Sequence, residues 1–217
     1  ADALEGCESL LRDVRGEAEV DDHDPIVLRE HHPTVASVLK KAGYRTACVG
    51  KWGLGTPDNL SNPNDVGFDH FFGYVDMWHA HNFYPEFLVR NGQVQQMRNE
   101  VAPRWKSFQE PGKPQAGRGV AVKRVDYAPD LFIAEVEQFI RDSHRQPFFL
   151  FHALNTPHAN NEAGSKGMEV PELGEFSDRD WPAAEKGFAA MIRNIDRDAG
   201  RVLDLLEELK IEKDTLV

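Results

Sequence analysis

Three times along this 217-residue chain, a stretch of helical periodicity leads into a short apolar run. Val35, Val38 and Leu39 fall at helical spacing behind Pro33, and Gly43 follows as a C-terminal cap. Arg45 to Val49 is then short, apolar and β-prone, and it opens into the glycine turn Gly50-Lys51-Trp52-Gly53-Leu54-Gly55. The order repeats downstream. Between Asp130 and Ser143, residues Leu131, Ile133, Ala134, Val136, Phe139 and Ile140 lie largely on one helical face. The nearly unbroken apolar run Phe148 to Leu154 suits a strand covered on both sides, and it ends in Asn155-Thr156-Pro157-His158. A third helix, from about Ala184 to Lys210, carries Phe188, Met191, Ile192, Ile195, Ala199, Val202, Leu206 and Leu209, and Ile211 to Val217 reads as the start of a third strand.

Such alternation predicts an α/β fold: a mostly parallel sheet with helices on both faces. Ligands of these sheets gather beyond the C-terminal ends of the strands, where both polar loops lie. Between the two units, Pro57 to Arg124 is rich in aromatics early (Phe68, Phe71, Phe72, Tyr74, Trp78, Phe83, Tyr84, Phe87) and poor in periodicity later. Its last part holds Arg104, Lys106, Lys113, Arg118, Lys123 and Arg124 against Glu110 alone, and reads as an irregular basic excursion.

Composition removes several classes. With 41% apolar and 28% charged residues, the chain is neither wholly disordered nor fibrous. Its 25 basic and 36 acidic residues leave a net charge of −11, which argues against a generally basic nucleic-acid binder. No stretch approaches the roughly 18 apolar residues of a membrane span, and Ala1 to Gly16 carries charges where a signal peptide needs apolar residues. Cys7 and Cys48 allow at most one bridge. The opening at Ala1 without methionine and the close on Lys213-Asp214-Thr215-Leu216-Val217 give the expectation of an internal piece of a longer protein.

Lys51, in a glycine turn after a buried strand, is placed to hold an anion; a surface lysine on a tight turn is the plainer alternative. A nucleotide P-loop is excluded, because Arg45 and Trp52 stand where glycine and Ser or Thr are needed. His158 could donate to an anion or move a proton, or simply hydrogen-bond its own loop. His79 and His81 would share a face on an extended segment and could bind metal, but an aromatic-packed polar edge is the better reading. Asp21, Asp22 and Asp24 around His23 read as a solvated acidic loop, and His31 with His32 as a helix entry. In the last helix, Asp196, Asp198, Asp204, Glu207 and Glu208 read as a wetted face.

Taken together, these segments resemble the sulfatase family, in the alkaline-phosphatase-like superfamily, and most closely its bacterial arylsulfatase-like members. Ala42-Gly43-Tyr44-Arg45-Thr46-Ala47-Cys48-Val49-Gly50-Lys51-Trp52-Gly53-Leu54-Gly55 is similar to the family's second signature, normally ending Gly-Lys-Trp-His-Leu-Gly. Gly67-Phe68-Asp69-His70-Phe71-Phe72-Gly73-Tyr74, Ala80-His81-Asn82-Phe83-Tyr84-Pro85, Pro147-Phe148-Phe149-Leu150, Pro157-His158-Ala159-Asn160-Asn161-Glu162 and Asp178-Arg179-Asp180-Trp181 follow in family order. The resemblance implies an α/β/α sandwich incomplete at both ends: residues 33–217 as part of an N-terminal catalytic domain, with 1–32 a poorly matching lead-in. It implies hydrolysis of an aryl or carbohydrate sulfate ester through a covalent sulfo-enzyme. Lys51 would bind the sulfate and the activated nucleophile, His158 would contact the leaving oxygen or the sulfate, and His81 and Trp52 would line the pocket. It implies calcium in the complete enzyme and, by family habit, a periplasmic or extracellular location; it leaves the oligomeric state open.

The departures from the pattern limit this expectation. Gly53 stands where the signature commonly has a catalytic histidine. The family nucleophile is a formylglycine made in a Cys-x-Pro-x-Arg motif, but Cys7 is followed by Glu8, Ser9, Leu10 and Leu11. By the resemblance, the first pair of calcium ligands would lie upstream of Ala1 or be absent and the second would lie just past Val217, so the isolated 217 residues are expected to be inactive. Two alternatives remain open: a phosphodiesterase or phosphonate hydrolase of the same superfamily, and a degenerate, noncatalytic protein that binds sulfated glycans.

Overall fold

The computed structural model describes residues 33–54, 62–113 and 115–217. Cys7, the Asp21 to Asp24 cluster, His31 and His32 lie outside the described residues. Helix α1 (Val35–Lys41) starts where Thr34 Oγ1 accepts from Ser37 N while the Ser37 hydroxyl returns the contact to the Thr34 backbone. This reciprocal cap satisfies two helix-end donors and fixes the start two residues after Pro33. The helix buries Ala36, whereas Val35 is 65% exposed and Val38 55%. The expected apolar stripe is therefore turned away from the sheet. Periodicity marked the helix correctly and the buried face wrongly.

Strand β1 (Arg45–Lys51) runs two residues further than the sequence suggested, taking Gly50 and Lys51 into the sheet. It lies between β2 (His70–Tyr74) and β7 (Phe148–Ala153) and is parallel to both. Strands β3 (Phe87–Arg90) and β4 (Gln93–Gln96) extend the sheet beyond β2 as an antiparallel hairpin, giving the order β4-β3-β2-β1-β7. Of these five, only β3 runs against the others. The hairpin turns at Asn91 (φ 47°) and Gly92 (φ 76°), the doubly positive pair that a two-residue turn matched to strand twist requires. A small second sheet pairs β5 (Glu100–Val101) with β6 (Ala121–Lys123) across the basic excursion.

Alternation along the strands splits the core in two. Cys48, Phe71 and Val89 face Ala36 of α1. Val49, Phe72 and Leu88 face Phe132, Ile133, Val136 and Ile140 of α2 (Ala128–Ser143) and Leu205 and Leu206 of α3 (Ala183–Glu208). Helices thus cover both faces of the sheet, as expected. Phe71 and Tyr74 are fully buried, each worth about 1.5–3 kcal/mol against exposure.

Three expectations need correction. Strand β7 is not covered on both sides: it ends the sheet among the described residues, and Phe151 is 45% exposed. Ile211 to Val217 forms no strand; a short 3-10 turn (Glu212–Asp214) is followed by unpaired backbone, with Leu216 fully exposed. In α3, Asp196, Asp204, Glu207 and Glu208 are wetted, but Asp198 is buried. Asp198 is tolerated inside because Arg197 meets it at 2.8 Å.

Candidate functional site

Register brings the two predicted loops together. Gly50 lies opposite both Gly73 on β2 and Ala153 on β7, so Lys51 and the chain leading to His158 leave the sheet at the same end. Lys51 closes β1 on the face shared with Val49 and Tyr74. Burial lowers its pKa from the usual lysine value, and the nearby negative charge of Asp76 partly restores it.

Asp76 follows β2 by two residues. Its Oδ1 accepts from Trp78 N at 2.7 Å and His79 N at 3.1 Å, anchoring the 3-10 turn His79–His81. Burial raises its pKa, while those two hydrogen bonds and the charges of His81 and Lys51 oppose the rise. One buried carboxylate thus senses both the ammonium and the imidazole.

The turn sends its two histidines to different places, because it is helical and not extended. His79 packs inward against Tyr74 (4.8 Å between ring centroids) and Phe87 (4.4 Å), and burial drives its pKa down to about 3 against a hydrogen bond with the Phe87 backbone. It is a neutral, aromatic-packed residue. His81 turns the other way and lies flat against His158, with ring centroids 5.0 Å apart and planes 8° apart. His81 Nδ1, at the edge of the same ring, stands 3.3 Å from Glu162 Oε2.

His158 is exposed on the loop after β7, beyond the cis Thr156–Pro157 bond. Asn155 holds this loop: its side-chain amide donates to Ala80 O at 3.2 Å, and its carbonyl accepts from His158 N at 3.3 Å. His158 Nδ1 lies 2.7 Å from Ala159 O. A carbonyl only accepts, so Nδ1 carries the proton of the neutral ring and Nε2 is its acceptor nitrogen. The plainer of the two readings of His158, a bond to its own loop backbone, is thus present.

The remaining predicted positions sit differently. The Trp52 ring meets Phe68 edge-on at 5.8 Å and packs with the α1-side core, on the face opposite Lys51. Gly53 has φ 73°, a conformation that disfavours any side chain, and the nearest atom to a Cβ there would be Lys51 Cε at 3.6 Å. Sequence reasoning did not single out Asp76, Asn155 or Glu162. The signal for Asp76 was its place just past a strand end, and Asn155 stood in a loop already marked as polar. Among the described residues no three His, Cys, Asp or Glu side chains converge on a point a metal ion could occupy, so these residues alone do not make a calcium site.

Residues 12–217 match the sulfatase family. N-acetylgalactosamine-6-sulfatase of Rattus norvegicus is 29% identical over 182 residues, covering 83% of this chain and 30% of the relative. Arylsulfatase of Klebsiella aerogenes is 24% identical, covering 88% of this chain and 47% of the relative. The chain thus spans between 30% and 47% of the length of these curated relatives. Among solved structures, Ps i-CgsB superposes with a TM-score of 0.66 at 20% identity, over 92% of this chain and 42% of that one. The PsFucS1 sulfatase from Pseudoalteromonas sp. gives 0.53 at 18% identity, over 88% and 38%. These two likenesses concern the fold. With the family match running over nearly its whole length, the chain belongs to the sulfatase family.

Proposed function

We propose that this chain forms part of the catalytic domain of a sulfuric ester hydrolase acting on an aryl or carbohydrate sulfate, with Lys51 and His158 handling the sulfate ester. The observation that carries the proposal is the single end of the sheet at which Lys51, Asp76, His81 and His158 meet: Asp76 acts electrostatically on both Lys51 and His81, and His81 is stacked on His158. The names of the relatives, N-acetylgalactosamine-6-sulfatase and arylsulfatase, support the substrate class.

A sulfate monoester carries its own negative charge, which repels nucleophiles and makes alkoxide departure costly. Lys51 supplies a fixed cation on a rigid strand end, where a sulfate oxygen can meet it without side-chain reorganisation. As the S–O bond breaks, its electron pair leaves with the alcohol oxygen, which then needs a proton. His158 can give that proton from Nε2 only as the doubly protonated ring, since Nδ1–H is already committed to Ala159 O. In its neutral form His158 can instead accept a proton at the same nitrogen. Sulfur must be attacked by a nucleophile that is not among the residues named here.

The test uses a protein containing the complete catalytic domain and 4-nitrophenyl sulfate. Release of 4-nitrophenol, lost in Lys51→Ala and His158→Ala, is the expected result. Turnover that survives both substitutions removes the roles assigned here. One observation favours a second reading: Gly53 offers no side chain where the family signature commonly has histidine, and its φ of 73° with Lys51 Cε 3.6 Å from a Cβ there leaves that place to the lysine stem. In a noncatalytic sulfated-glycan-binding protein, a sulfated oligosaccharide would bind without being hydrolysed, and Lys51→Ala would abolish that binding.

A further inference from the structure

A carboxylate beside an anion-binding site is costly, yet the side chain of Glu162, only 7% exposed, stands 3.3 Å from His81. Its backbone is fixed by the fully buried Asn160, whose side chain accepts from Glu162 N at 3.2 Å while donating to Gly119 O at 2.9 Å and Glu169 Oε2 at 2.7 Å. Burial pushes the Glu162 pKa up, but His81, its own backbone and the positive charge of Arg118 outweigh that, and the carboxyl is held below its usual range. The group is therefore ionised at neutral pH. Its Oε2 has no hydrogen bond of good geometry, and neither has His81 Nδ1; the two atoms face each other at 3.3 Å.

We infer that Glu162 is a positioning residue, which through His81 fixes the plane and place of the His158 ring. The geometry is a relay of three groups: a charged carboxylate whose backbone N–H is held by Asn160, an imidazole whose Nδ1 edge it attracts at 3.3 Å, and a second imidazole lying flat on the first. His158 is itself exposed and held by its loop, with one backbone bond at Nδ1. Without a fixed platform below, rotation about its χ angles would carry Nε2 away from the leaving oxygen. A displacement of about 1 Å of such a group can cost roughly a hundredfold in rate. Three other charged groups bear on the platform: Asp76 acts on His81 from the turn before it, Lys51 acts on Asp76, and Arg118 acts on Glu162. The inference rests on the reading of His158 as a sulfate-ester contact.

The experiment is Glu162→Gln in a protein containing the complete catalytic domain, with two independent readouts. In the 1H–13C spectrum of histidine-labelled protein, the His158 ring signals should move in the direction that His81→Ala moves them, because both changes remove the ordered neighbouring ring. With 4-nitrophenyl sulfate, kcat should fall about tenfold or more while KM stays within about twofold, since orientation and not binding is lost. Glu162→Asp, which keeps the charge on a shorter arm, should restore part of both, and it carries the same spectral reading if the glutamine variant does not fold. His158 signals unchanged in Glu162→Gln would overturn the inference. If the unsubstituted protein turns over no sulfate ester, the proposed function fails, while the spectra still decide whether Glu162 orders the pair.

Discussion

A Cβ added to Gly50 would stand 2.1 Å from the carbonyl oxygen of Ala153 on the neighbouring strand. Nothing in a sheet can yield at that distance, because the obstructing atom is backbone. Gly50 also has φ 112°, where a side chain is strained in any surroundings. Gly50→Ala should therefore cost about 3 kcal/mol or more, the sum of backbone strain and overpacking. Gly43→Ala is the contrasting case, for Gly43 has φ 89° with no atom within 4 Å, and its cost should be near 1 kcal/mol. Urea unfolding of the two variants measures the difference; equal losses would show that the Ala153 contact does not matter.

Glu135 joins α2 to the β2–β3 pair by accepting from His70 Nε2 at 2.7 Å and from Arg90 Nη2 at 2.7 Å. Burial raises its pKa, yet these two partners bring it from 4.5 down to about 2. Because the folded group titrates below the unfolded one, its contribution is complete above about pH 5 and disappears as the pH falls through about 2. Solvent screening limits that contribution to no more than about 2 kcal/mol. Stability measured between pH 5 and 2 should fall less steeply in Glu135→Gln than in the parent chain, and identical slopes would contradict the assignment.

Cys48 is a free thiol with no exposure in the α1-side core, and burial pushes its pKa up to about 12. Thiolate, the reactive form, is therefore scarce at neutral pH. Peptide mapping after iodoacetamide treatment should find Cys48 unmodified in folded protein and modified in urea. Labelling of Cys48 in the native state at the rate of a free thiol would refute this.

At Lys51 the expectation is catalytic. Lys51→Ala should lower kcat/KM for an aryl sulfate by about a hundredfold or more, the usual cost of removing one fixed donor from a developing charge. Since burial lowers the pKa of Lys51, its ammonium is lost at a pH below the ordinary 10.5, and activity should decline on the alkaline side accordingly. A rate profile flat to pH 10.5, together with an active alanine variant, would remove Lys51 from the chemistry.

Much of this was legible in the sequence, but unevenly. Lys51 and His158 stood out because each follows an apolar run, and strand ends of α/β sheets meet by topology. Glu162 and Asp76 did not, since their importance lies in which ring each side chain faces across a turn. The β3–β4 hairpin carried a clear local signal, Asn91-Gly92, that the search for helical rhythm passed over. Val35 and Val38 misled for a different reason: a seven-residue helix has too few turns for spacing to say which side is buried. Asp198 was misjudged because charge suggests water, whereas two arginines on its own helix, Arg197 and Arg201, reach back to it.

Strand β7 has consequences for handling the molecule. Among the described residues, its hydrogen-bonding groups on one side meet no strand, and Phe151 and Leu154 stand exposed beside them. Such a bare rim is adhesive, since a second polypeptide can add to it as a further strand. Wherever no other segment covers this rim, two copies of the protein should stick to one another edge to edge, and a charged or proline substitution on the rim is the natural first remedy.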